Sequence, residues 1–138
     1  MKRWLWGWSF VMLASTAHAA GLVIVDAWIP EAPPQPPIAA GYATLENRTD
    51  APIRIEAAHC EGAKRTMLHE TKHSRGQAQM VEAEAWIVPA HGKLKLAPGG
   101  RHLMLMHLTH PLRAGDRVRC TLKTDRGAVE GTWQVRRR

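Results

Sequence analysis

The chain alternates apolar and polar residues in short runs and nowhere sustains a helical apolar face. "GLVIVDAW", "GYATLEN", "PIRIEAA", "KRTMLHET", "RHLMLMHL" and "GAVEGTWQV" all read as strands. "QAQMVEAEAWIVPA" has room for one or two more, and "HGKLKLAPGG" for a short one that ends in a turn. Turn chemistry separates the runs: "RTDAP", Pro98-Gly99-Gly100 and Ala114-Gly115-Asp116 supply fixed φ, permissive φ or side chains that bond their own backbone. Strands with turns every ten residues or so predict an all-β sandwich or barrel. Five prolines between Pro30 and Pro37 remove amide donors and predict an extended loop there.

The first nineteen residues read as a cleaved secretory signal. Lys2 and Arg3 form a positive end, Trp4 to Ala14 an apolar run, and Ala17-His18-Ala19 a small-x-small cleavage site. A membrane anchor is the alternative, but the run is too short to cross ~30 Å of hydrocarbon. What remains, residues 20–138, predicts one domain, expected as a monomer in the periplasm without stable membrane insertion. Loss of Lys2 and Arg3 lowers the formal charge from +7 to +5. The basic residues concentrate after Lys93, where they could dock on an acidic partner or an anionic membrane, or simply form a solvated strand face with a frayed "RRR" tail. They are not interleaved with stacking aromatics, and an exported chain rarely meets nucleic acid, so no nucleic-acid partner is expected. Cys60 and Cys120 stand open between a disulfide and two free buried thiols. No Cys-x-x-Cys is present, which disfavours thioredoxin-like chemistry.

"RHLMLMHL" carries more sulfur and imidazole than a plain core strand needs. With a period of two, His102, Met104 and Met106 share one face, and Leu103, Leu105 and His107 the other. If the leucines face the core, His102 and Met104 form a two-point soft clamp on the opposite face. Two further candidates lie upstream. His69 sits in "MLHE" with Met67 on its own face, and Met80 stands alone in the polar "GQAQMVEAE". Thioether sulfur is soft and selects Cu(I) over Zn(II), Mg(II) or Ca(II), whereas zinc favours Cys, His and carboxylates. The opposing reading is structural: methionines fill irregular core gaps, and a lone histidine is usually a surface residue.

The spacing His69, ten residues, Met80, twenty-one residues, His102-x-Met104 resembles the H-x10-M-x21-H-x-M motif of the PCuAC family of periplasmic copper chaperones. "LHET", "VPAHGKLKLAPGGRHLMLM" and "PLRAGDRVRCTLKT" agree with that resemblance, which runs from about Asp26 to Trp133. It implies a cupredoxin-like β-sandwich of Greek-key type and a solvent-exposed site holding Cu(I); binding of Cu(II) as well stays open. His69, Met80, His102 and Met104 would be the ligands. The implied recipient is a copper-accepting protein, either the CuA subunit of cytochrome c oxidase during its assembly or a Sco-type thiol protein. The chain departs from the pattern at His107, where glycine is expected, and at His73, where methionine is common. Cys60 and Cys120 lie outside it.

Further expectations concern single residues. His73 is placed in a loop close enough to reach a metal. Glu70 is expected to orient His69, and Met106 to be an outer sulfur or ordinary packing. His59, His91 and His110 are expected in surface turns, and Trp28, Trp86 and Trp133 in the core. A carrier without enzymatic activity is the leading function. A copper electron-transfer protein or oxidoreductase using Cys120 as a thiolate ligand is an alternative, and a metal-free exported interaction domain another. No Gly-x-Ser-x-Gly or paired catalytic carboxylates support a hydrolase.

Overall fold

The structure is a computed structural model and describes residues 21–137. The expected signal segment, residues 1–19, and its boundary at residue 20 lie outside the described residues.

Ten strands follow one another: β1 (Leu22–Pro30), β2 (Ala39–Asn47), β3 (Ile53–Cys60), β4 (Ala63–Ser74), β5 (Gln77–Glu82), β6 (Trp86–Val88), β7 (Lys93–Leu96), β8 (His102–Leu108), β9 (Arg117–Thr124) and β10 (Gly127–Arg136). The described residues contain no α-helix, as the alternating runs require. Hydrogen bonding links the strands in the order β5-β4-β8-β2-β1-β10-β9-β3-β6, with β7 also on β2. All pairs are antiparallel except β1 with β10. β2 is shared between two arms. Ala39–Gly41 pairs with β8, while the rest of the strand pairs with β7 on one side and β1 on the other.

The two arms enclose one core. Leu68, Leu103 and Leu105 enter it from β4 and β8; Val118, Leu122, Val129 and Trp133 enter from β9 and β10. Each fully buried leucine contributes roughly 1.5–3 kcal/mol. The alternation of Val118, Cys120 and Leu122 points all three inward. Gly41 lets the arms approach: a Cβ there would lie 3.4 Å from Leu103 Cβ and 3.5 Å from Trp133 Nε1. Cys60 and Cys120 occupy one register position across β3 and β9 and form a disulfide, which settles the question left open by spacing.

Several local expectations change. His73 is not in a loop: β4 runs on to Ser74, because Arg75 (φ 51°) and Gly76 (φ 76°) make a two-residue turn that pairs Ser74 with Gln77. Trp86 and Trp133 are core, but Trp28 is half-buried outside the core and packs against Tyr42 with ring centroids 5.0 Å apart. Arg136 is no frayed tail; it ends β10, bonds Asp26 at 2.9 Å and covers the Trp28 ring. His59 is exposed, as expected, but lies within β3. The basic residues after Lys93 are partly neutralised by Glu46, Glu70, Glu130 and Asp26.

Candidate metal centre

The site begins with the turn before β8. Pro98 and Gly99 (φ 80°) occupy its corner, and the Gly100 amide donates to the Ala97 carbonyl at 2.9 Å, a type II turn. β8 then alternates. Leu103 and Leu105 are fully buried in the core, while His102 and Met104 are buried on the opposite face and Met104 is no part of the core cluster. The alternation ends at His107, whose φ of 53° turns the strand out of its pleat; the side chain is exposed. That backbone explains why glycine suits the position.

β4 pairs with β8 so that His69 lies directly opposite His102 and Met67 directly opposite Met104. Cross-strand partners have Cβ atoms about 4.5–5.5 Å apart. The two imidazoles meet edge to face, centroids 5.5 Å apart. Two nitrogens thus adjoin two sulfurs on one sheet face. On the far side of β8, Ala40 stands opposite Met104, and the Tyr42 ring lies 6.3 Å from the His102 ring.

Met80 arrives from β5, the edge strand. It is opposite Thr71, and Glu82 is opposite His69, so Met80 is the diagonal neighbour of His69 on the same face. A long side chain spans that diagonal of about 7–8 Å. Met80 is 57% exposed, the most exposed large apolar side chain among the described residues. His73 shares its face two and four residues beyond Thr71 and His69, and is exposed. Glu70 does not orient His69. Its carboxylate accepts from Arg101 Nε at 3.1 Å, because adjacent strand residues point to opposite faces.

The polarity of the histidines is unusual. Both ring nitrogens of His69 and Nε2 of His102 are buried without a hydrogen-bond partner among the described residues. Buried polar atoms are nearly always paired, and each orphan costs about 1–3 kcal/mol. His102 Nδ1 faces the Gly100 carbonyl at 3.3 Å. A carbonyl only accepts, so this contact places the proton on Nδ1 and leaves the Nε2 lone pair bare. Burial, foremost, holds the His102 pKa below the usual histidine value; the Gly100 carbonyl opposes this, and His69 adds to it. A neutral imidazole with a bare nitrogen has the lone pair that metal binding requires.

No group of three or more His, Cys, Asp or Glu among the described residues could hold an ion. The donors gathered on this face are imidazole and thioether, and thioether sulfur prefers soft metals. Met67 is the residue that spacing undervalued. Its position two before His69 was legible, but the register that sets it against Met104 was not.

A family model described as "Putative lipoprotein LpqE-like" matches residues 22–135. The chain belongs to the LpqE-like family. A "Putative lipoprotein Lxx21020" of Leifsonia xyli subsp. xyli is 33% identical over 113 residues, 81% of this chain and 67% of the relative. Among solved structures, DR1885 of Deinococcus radiodurans in its CuI form is 35% identical, with a TM-score of 0.68 over 90% of this chain and 85% of that one. The apo PCuAC domain from PmoF1 has a TM-score of 0.72 at 21% identity, covering 87% and 97%. This LpqE-like chain therefore has the cupredoxin-like fold of PCuAC domains.

Proposed function

We propose that this protein is an exported copper carrier that holds Cu(I) on the outer face of the β4–β8 pair and passes it on, without enzymatic activity. One observation carries the reading: His69 and His102 stand opposite each other with three buried ring nitrogens unpartnered, beside the thioethers of Met104, Met67 and Met80. The 35% identical DR1885 has been described with CuI bound. The lipoprotein description of the family favours an envelope location, here the periplasm after loss of the signal.

The chemistry suits a carrier. His69, Met80, His102 and Met104 are all neutral when they bind, so copper displaces no proton from sulfur. The ion keeps its positive charge, and Glu82, directly opposite His69 across β4 and β5, would offset it. Met80 on the exposed edge strand is the ligand a recipient meets first. A recipient's thiolate or imidazole can add to copper as Met80 leaves, so the ion is never released into water. A copper-accepting protein such as the CuA subunit or a Sco-type thiol protein fits that exchange.

The electron-transfer reading loses its sulfur, since Cys120 is tied to Cys60 and offers no thiolate. Titration with Cu(I) against a competing chelator tests the carrier. One equivalent should bind to the native chain and none to the His69→Ala/Met80→Ala/His102→Ala/Met104→Ala variant. Stoichiometric binding by that variant overturns the proposal.

A further inference from the structure

We propose that Met67 is a copper ligand, so that His69, His102 and Met104 are closed by either of two thioethers: Met67 from within the sheet face, or Met80 from its edge. This rests on the copper-carrier reading and deepens it.

The register carries the inference. Met67 and Met104 form a direct cross-strand pair one step from the His69–His102 pair. Four soft donors thus occupy a two-by-two array on two adjacent strands, and none of them comes from β5. Met67, like His69, is half-buried, and its side chain points to the same face. Three rotatable bonds let a methionine sulfur reach a centre at the middle of such an array. Met80 is differently placed. It belongs to a third strand, is only a diagonal neighbour of His69, and is more than half exposed.

The core does not need Met67. Leu68, its chain neighbour, makes the core contact of that part of β4, whereas Met67 is outside the core cluster. A half-buried thioether outside the core cluster, one register step from two bare imidazoles, is poorly used as packing and well used as a cation ligand. Two interchangeable sulfurs also solve a problem of hand-over. When a recipient displaces Met80, Met67 keeps copper on two nitrogens and two sulfurs until the new bond is made. The inner sulfur retains the cargo, and the outer sulfur presents it.

Copper-edge X-ray absorption on the reduced, Cu(I)-loaded full domain tests this with Met67→Leu, Met80→Leu and the double variant. Leucine conserves volume, so the fold is expected to survive, as circular dichroism would verify. The expected result is two sulfur neighbours in the native chain and in each single variant, and one in the double variant. The double variant should also lose more affinity than the roughly 10- to 100-fold typical of an outer partner. A single sulfur in Met80→Leu overturns the proposal, because Met67 then fails to substitute. Two sulfurs in the double variant also overturn it, because another residue such as Met106 then supplies the second. Failure of the underlying reading looks different: His69→Ala/His102→Ala would keep its copper whatever the methionines do.

Discussion

Cys60 and Cys120 face each other across β3 and β9, in the arm of the sheet that carries neither the histidine pair nor the methionine pair. Their disulfide closes a loop of sequence separation 60. By loop entropy it stabilises the fold by about 4 kcal/mol. Cys60→Ala/Cys120→Ala should therefore unfold at clearly lower denaturant concentration. It should still bind one Cu(I) with an unchanged absorption-edge spectrum, since no ligand has moved. Denaturant titration and copper stoichiometry on the same sample check both halves.

The orphaned imidazoles should make the metal-free protein less stable than its packing allows. Replacing His102 with Leu removes an unpartnered buried nitrogen and keeps an apolar side chain of similar size. Metal-free His102→Leu is expected to gain about 1 kcal/mol while losing copper binding. A thermal melt without metal measures the gain. A loss of stability would show that His102 is a satisfied structural residue.

Acid should destabilise the metal-free form through the same histidine. The folded-state pKa of His102 is lowered below its ordinary value of 6.5, mainly by burial. The unfolded chain therefore binds more protons than the folded one once pH falls below about 6.5. The stability contribution is complete above that pH and is lost as pH falls through the lowered folded value. The slope is at most about 1.4 kcal/mol per pH unit for one proton. Denaturant midpoints from pH 8 to pH 4 should show the decline, and His102→Leu should flatten it.

His107 holds a left-handed backbone, φ 53°, with its side chain exposed. A non-glycine residue there costs about 1–2 kcal/mol in local sterics. Glycine removes that cost but adds chain entropy to the unfolded state, so His107→Gly should raise stability by about 1 kcal/mol or less. Copper affinity should stay unchanged, since the exposed His107 does not belong to the His102–Met104 face. Differential scanning calorimetry and a Cu(I) competition titration decide the two points.

The strands were legible because alternation is local: Leu103 and Leu105 had to face the core, and they do. The candidate site was legible in part. The spacing of His69, Met80, His102 and Met104 was visible, and the period of two placed Met67 with His69 and Met104 with His102. What stayed hidden depends on register between distant strands. Nothing local says that residue 69 meets 102 rather than 101 or 103, and a one-residue slip would turn every donor to the other face. The pairing of Met67 with Met104 was hidden for the same reason. Glu70 was misread because adjacency in sequence means opposite faces in a strand. Trp28 was misread because bulk alone does not tell the core from a half-covered outer face. His73 was misread because Arg75 and Gly76 compress the whole reversal into two residues.

β1 runs away from its own start toward the metal face. Leu22 is opposite Asn47, whereas Trp28 is opposite Tyr42, whose ring neighbours His102. Five β2 residues separate those two levels, about 16 Å at ~3.3 Å each, and β1 spends one more because it bulges between Val25 and Trp28. Gly21 thus lies at the end of the sheet remote from the histidine pair. A tether or fusion partner attached there would hold the molecule like a lamp on its stem, with the His69–His102 face turned outward and unshaded.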